Sequence, residues 1–332
     1  MSDLAVSRAA HSAPTKGRPK AYHAVKPPSL SFATAVVQSG LNYILLILGS
    51  GAFLLPFYFI VNGSLKSNEA VQAGEIIRPP NEWSQIRWSN YPQALSKERL
   101  NFSPALANTV VITTCCVVGQ VISCSLVGFG FARFRFRGKS ILFMVMLATM
   151  MLPTQVTMIP VFLLFKMFHM VDSFWPLILP AWLASPFFVF MFRQFFARIP
   201  EELVEAARID GAGNARIYWQ IMLPLCRPAI AIVAIYTFLS TWNDFLGPLV
   251  YLNSPDRRTL ALALTAFNGQ YGPRDTPLLM AASVVCMLPC ILLFFVCQKY
   301  FVEGVANAGF AQDQRRQTRQ EGVTRTVRPI KR

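Results

Sequence analysis

The chain has 332 residues, of which 54% are apolar and only 14% charged, and it carries a formal net charge of +15. Soluble domains hold about a quarter charged residues, so this composition argues against an ordinary protein folded in water. Nor does the basic excess mark a nucleic-acid binder, because Lys and Arg are scattered over short loops rather than gathered on one face with interleaved aromatics.

Residues 1–39 are rich in Ser, Ala, Pro and basic side chains without helical periodicity, which predicts a disordered basic arm. A membrane-spanning helix needs about 20 mainly apolar residues. The first such run is free of charge between Lys26 and Lys66, with its apolar part roughly from Leu41 to Val61. It follows a long tail and exceeds the apolar region of a secretory leader, so it reads as an uncleaved span. The segment of about 62–103 carries Pro79-Pro80, Trp83, Trp88 and Tyr91-Pro92 and predicts an external cap. Its aromatics read equally as headgroup-level anchors and as contacts for an external partner.

A second run covers about Leu106 to Phe131, a third lies between Lys139 and Lys166, and a fourth between Asp172 and Arg193. A fifth, around Pro228 to Leu252, is broken only by Asp244, and a sixth lies between Asp275 and Lys299. Six such runs leave too little polar chain to cover them in water, so the expected fold is an all-α transmembrane protein of six helices. Pro153, Pro160, Pro176, Pro180, Pro186 and Pro289, inside or beside spans, predict bends. Residues 311–332 form a second basic tail. Of the 31 Lys and Arg residues, 22 fall on the side that holds both tails and 9 on the other, which puts the N- and C-termini in the cytoplasm.

Seven cysteines fall within or beside spans, no CxxC pair or Cys/His cluster occurs, and there are only three histidines. They read as small packing residues, with no metal site and no disulfide framework.

The segment of about 199–226, between the fourth and fifth spans, is the most informative. Pro200 suits a first helical turn, Glu201, Glu202 and Glu205 favour the positive end of the helix dipole, and Gly211 suits the stop. Leu203, Ala206, Ala207 and Asp210 recur at helical spacing, which predicts a face of small residues open to close approach. Asn214 is placed to cap a second short helix holding Tyr218, Trp219, Ile221 and Met222 and ending before Pro224.

This segment resembles the EAA loop of ABC importer permeases: Glu-Ala-Ala, three residues, Gly, nine residues, Ile-x-Leu-Pro. Glu205, Ala206, Ala207, Gly211, Ile221, Leu223 and Pro224 occupy every fixed position. The resemblance runs from about residue 40 to 310 and is nearest to the sugar-importing, MalG-like branch. Leu55-Pro56-Phe57-Tyr58 with Ser64-Leu65-Lys66, Asn108-Thr109, Gly130-Phe131-Ala132-Arg133-Phe134 with Gly138-Lys139, Leu152-Pro153 and Ile159-Pro160 support it. So do Trp242-Asn243-Asp244-Phe245-Leu246, Pro248-Leu249 and Phe301-Val302-Glu303-Gly304. It implies a type I importer permease that pairs with a MalF-like second permease, two ABC ATPase subunits that hold ATP and Mg, and an external solute-binding protein. It also implies that the loop docks on the ATPase, whose closure moves the membrane helices. The chain itself would be no enzyme and hold no cofactor, in keeping with the absence of a GxxxxGK[ST] phosphate loop from the sequence.

An ionised Asp244 at a helix centre would cost roughly 2.5–3.5 kcal/mol on insertion scales, so it should face the bundle interior or the outer end. Trp242, Asn243 and Asp244, with Tyr236, form a candidate sugar pathway of ring faces and hydrogen-bonding groups; the competing role of Asn243 and Asp244 is to tie helices together. Three other functions compete. A permease for a glycerol phosphate ester would want cations facing the cavity. An ion-coupled transporter would want paired ionisable groups in the membrane, and a membrane enzyme would want a reactive cluster.

Overall fold

The computed structural model describes residues 32–77, 85–96, 100–267 and 275–298. The expectations placed on the N-terminal arm, Pro79-Pro80, Trp83, Phe301-Val302-Glu303-Gly304 and the C-terminal tail lie outside the described residues. The chain divides into two compact units, residues 1–55 and 56–332. Helix α1 (Phe32–Ser64) supplies the described part of the first unit, an apolar run with Leu45, Ile47 and Phe53 exposed; from Pro56 on it belongs to the second.

Two short helices, α2 (Asn68–Gln72) and α3 (Asn90–Leu95), follow. Asn90 fastens this region by donating its amide to the carbonyls of Ser64 and Lys66, at 2.8 Å each, and the Tyr91 hydroxyl lies 2.9 Å from Ser64 Oγ.

The second unit is organised on α4 (Phe102–Arg133), 32 residues without a break. Lipid tails are as apolar as the side chains, so close packing, not exclusion from water, must hold such helices together. The buried stripe of α4 is built accordingly. Ala105, Thr109, Ile112, Cys116, Gln120, Cys124 and Gly128 recur every three or four residues and are mostly small, with Gly119 and Ser125 beside them. A Cβ on Gly119 would stand 2.4 Å from the Trp182 indole nitrogen, and one on Gly128 would stand 2.7 Å from Phe192 Cβ and 3.2 Å from the Arg193 backbone nitrogen. Cys116 and Cys124 sit on the same stripe as free thiols.

The third apolar run, expected as one crossing, is two helices, α5 (Lys139–Ala148, extended by a 3-10 turn to Met151) and α6 (Thr154–Met167), bent by 100°. Pro153 explains the break, because its ring disfavours helical backbone at Leu152, which is extended at ψ 117°. The fourth run carries α7 (Trp175–Trp182) and α8 (Pro186–Arg198), separated where Ala184 takes a left-handed φ of 59°. Both helices pack on α4.

After α9 (Glu201–Ile209) come α10 (Asn214–Ile217), a π turn at Tyr218–Met222 and α11 (Leu223–Leu225). The 214–225 stretch meets α12 (Arg227–Trp242) at a bend of 77°. The fifth run was expected to continue to Leu252, but α12 stops at Trp242 and the chain restarts as α13 (Leu246–Tyr251). Asp244 therefore lies in a helix break, not at a helix centre. Then follow α14 (Leu260–Ala263) and α15 (Thr276–Gln298). Four described helices are long and apolar enough to cross a bilayer, and the two bent pairs make six if each is one span.

Candidate functional site

The 199–226 segment is held from two sides. Helix α9 starts after Pro200 with Glu201 and Glu202 in its first turn, where their charges oppose the positive end of the dipole. It ends in a Schellman motif: Ala212 N–H donates to the Ala207 carbonyl at 2.9 Å, Gly211 N–H to the Arg208 carbonyl at 3.0 Å, and Gly211 takes the left-handed φ of 80° that the motif requires.

The predicted face of small residues is not a single surface. Ala207 turns inward beside Val204, which is only 3% exposed, and both join a cluster with Phe188, Phe192 and Phe196 of α8. Leu203, Ala206 and Asp210 face outward together with Glu205 and Gly211, and Ile209 is 87% exposed. Spacing alone could not separate Ala206 from Ala207, since which of two neighbouring alanines packs inward depends on the angle at which α9 meets α8.

The second half of the segment also differs from its prediction. Gly213, not Asn214, takes the N-cap position, and no side chain caps α10. Pro224 falls inside α11 instead of following a helix end. Ile221 and Leu223 are partly buried against the same cluster, whereas Trp219 and Pro224 are exposed.

Two polar struts run from α4 to this segment. Arg133 Nη2 donates to the carbonyls of Phe196 (2.7 Å) and Ile199 (2.6 Å), just before Pro200. The hydroxyls of Tyr218 and Ser125 meet at 2.7 Å in a buried contact, and Ser125 Oγ also lies 2.6 Å from the Val121 carbonyl. One helix thus grips the chain on both sides of α9. The sequence marks Arg133 only as part of a pattern and does not single out Ser125; its one signal there is a hydroxyl two turns before a basic helix end.

At the far end of α4 lies a different arrangement. Asn108 donates its amide to the carbonyls of Asp256 (2.8 Å) and Arg258 (3.0 Å), and Thr109 Oγ1 accepts the Leu260 N–H at 2.9 Å. Asp172, at a left-handed φ of 57°, accepts N–H groups from Asn253 (2.9 Å) and Ser254 (3.0 Å) and the Ser254 hydroxyl, with Arg257 at 4.0 Å. The Ser254 hydroxyl first, then the two amides, and last the Arg257 charge hold this carboxyl down to about 2.

The structure does not bring the four pathway candidates together. Trp242 is 5% exposed, donates its indole N–H to the Cys286 carbonyl at 3.1 Å and stacks on Phe238 with centroids 5.2 Å apart. It thereby joins α12 to α15, a tie that the sequence suggested for Asn243 and Asp244 instead. Tyr236, 61% exposed, leans on Phe188 of α8. Asn243 is exposed with its amide on the Leu239 carbonyl, and half-buried Asp244 accepts the Gly247 N–H at 3.1 Å. Tyr236, Ser240 and Asn243 share one exposed stripe of α12; Ser240 was missed, though the i, i+4, i+7 spacing from Tyr236 marks it.

Residues 125–307 match the model of a family described as binding-protein-dependent transport system inner membrane component. The chain belongs to that family. Its members are non-catalytic, multi-pass permease subunits of ABC transporters, without a cofactor of their own. Among relatives, the arabinooligosaccharides transport system permease protein AraQ of Bacillus subtilis is 33% identical, over 77% of this chain and 90% of its own length. The sn-glycerol-3-phosphate transport system permease protein UgpE of Yersinia pestis is 30% identical over 80% and 95%. A solved bacterial ABC transporter involved in import of the acidic polysaccharide alginate superposes with a TM-score of 0.72 at 25% identity, covering 83% of this chain and 100% of that one.

Proposed function

We propose that this permease imports a sugar or oligosaccharide as the MalG-like subunit of its transporter, and that the 199–226 segment is its EAA coupling loop. In this reading residues 40–310 form the permease domain and both tails lie in the cytoplasm. A MalF-like permease completes the pore, two ATPase subunits bind ATP and Mg, and an external binding protein delivers the solute.

One observation carries the coupling role. Val204 and Ala207 lock one side of α9 into the membrane bundle, while Leu203, Ala206, Ile209 and Asp210 stand exposed on the other. Apolar side chains such as Ile209, beyond the spans and uncovered, call for a partner surface. Glu205, Ala206 and Gly211 lie on or beside that exposed side. Ala207, Ile221 and Leu223 serve from behind by seating the loop, and Pro224 belongs to the helical stretch that leads into the bend before α12.

Two relatives named for carbohydrates support a sugar as cargo, the arabinooligosaccharide permease and the alginate importer. The exposed stripe of Tyr236, Ser240 and Asn243, ending near Asp244, offers a ring face and neutral hydrogen-bonding groups without a Lys or Arg. That favours a sugar over a phosphate ester, which would want a cation there. Trp242 serves this pathway as support from behind.

The test is site-specific crosslinking in the assembled transporter. Ile209→Cys, paired with a cysteine in the groove of the ATPase subunit, should form a disulfide on oxidation. Absence of that crosslink, or labelling of the cysteine in intact cells by an impermeant maleimide, overturns the assignment.

A further inference from the structure

Between the end of α4, the middle of α8 and the length of α5 lies a cavity of about 250 Å³ lined by Phe131, Lys139, Ser140, Phe143, Met144, Leu147 and Arg193. It lies near the end of α8 that Arg133 of α4 holds and from which the 199–226 segment continues. The transport reading gives it no role.

Its chemistry is two-sided. The Arg193 guanidinium lies 4.2 Å from the centre of the Phe143 ring, which fixes it by a cation–π contact. Among the described residues it has no hydrogen-bond acceptor and no acidic partner. Lys139 Nζ donates to the Phe134 carbonyl at 2.9 Å, leaving two of its three donors open, and likewise pairs with no described acid. Lys139 is also close enough to feel the like charges of Arg193 and Arg135. Two converging, mutually repelling cations are an unfavourable arrangement unless an anion joins them. Beside them the wall turns apolar at Met144 and Leu147 and continues into exposed Ile141 and Val145 on α5. A free anion would leave that wall unused.

We propose that this cavity binds an acidic phospholipid, with its phosphate between Lys139 and Arg193 and an acyl chain along Met144, Leu147 and the outer face of α5. Basic pockets between spanning helices suit such headgroups. The Arg193 fork takes two phosphate oxygens while Lys139 adds a point charge.

The test is native mass spectrometry of the full-length protein in mild detergent, titrated with dioleoylphosphatidylglycerol and, as control, dioleoylphosphatidylcholine. The wild type should retain phosphatidylglycerol in preference to phosphatidylcholine. In the double variant Lys139→Gln/Arg193→Gln its retention should fall about tenfold, the effect of losing charged hydrogen bonds. The charge-keeping double variant Lys139→Arg/Arg193→Lys should restore it, which separates lost charge from misfolding. Equal retention of both lipids, or of phosphatidylglycerol by wild type and the Gln variant, overturns the proposal. Displacement of the lipid by millimolar inorganic phosphate would reassign the cavity to a free anion and equally overturn it.

Discussion

The two ends of α4 both pack in apolar clusters, but they differ in how much hydrogen bonding to loop backbone is added. At the end near α9, Cys124 and Phe129 sink into a cluster with the phenylalanines of α8, Val204 and Ala207 of α9, and Ile217, Tyr218 and Met222. Arg133 and Ser125 add polar struts there. At the other end Leu100 and Ala105 also pack in an apolar cluster, with Trp242, Leu260, Ala263 and Phe267, but the chain breaks repeatedly there, and Asn108, Thr109 and Asp172 hold the pieces by hydrogen bonds to backbone groups as well. Packing of branched and aromatic side chains is specific in shape and resists change, so the first end suits a rigid attachment. The exposed hydrogen bonds of Asn108 and Asp172 to loop backbone can be exchanged for water one at a time, so these loop contacts suit rearrangement.

The contrast should break most visibly at Gly211. Its φ of 80° is closed to proline, which is fixed near −65°, and its N–H is needed by the Arg208 carbonyl. Gly211→Pro should leave the protein inserted yet abolish coupled uptake, with ATP hydrolysis no longer following solute. Uptake by membrane vesicles, set against expression level, checks this. Next comes Gly128→Ala, whose methyl group meets Phe192 Cβ at 2.7 Å and the Arg193 backbone beyond it. Overpacking of this kind costs about 1–3 kcal/mol. The loss should show as a lower unfolding temperature of the purified protein.

The smallest effect is expected at the opposite end and only in acid. Because the folded-state pKa of Asp172 is depressed to about 2, its contribution is complete above the usual carboxylate value near 4. It is lost as pH falls from there through about 2. Hydrogen exchange at the Asn253 and Ser254 amides should therefore speed up over that window, beyond the ordinary pH trend. In Asp172→Ala it should be fast already at neutral pH. A flat difference between the two proteins across the window would mean that the carboxylate does not hold this loop.

What the sequence made legible follows the same division. The six apolar runs were readable because lipid imposes a length, and the helix, glycine stop and second helix of 199–226 because Pro200 and Gly211 act locally. The path of the third run was not, since many prolines flank or enter spans and only Pro153 sits at a 100° reversal, while Pro160 lies within an α-helix. Trp242 misled for a related reason. An indole beside an amide and a carboxylate has the composition of a sugar site, but its direction is set by where α15 lies, and that is a tertiary fact. Ala207 and Ser125 were hidden likewise, because small residues gain meaning only from what approaches them.

The π turn at Tyr218–Met222 has a consequence for everything after it. Such a turn holds about one residue more than an α-turn, and each residue advances a helix by roughly 100°. A helical wheel drawn through the fifth run from Asn214 therefore slips phase there, as a screw does when a thread is skipped. The direction in which the Tyr236 and Asn243 stripe faces relative to α10 therefore depends on that slip together with the 77° bend before α12.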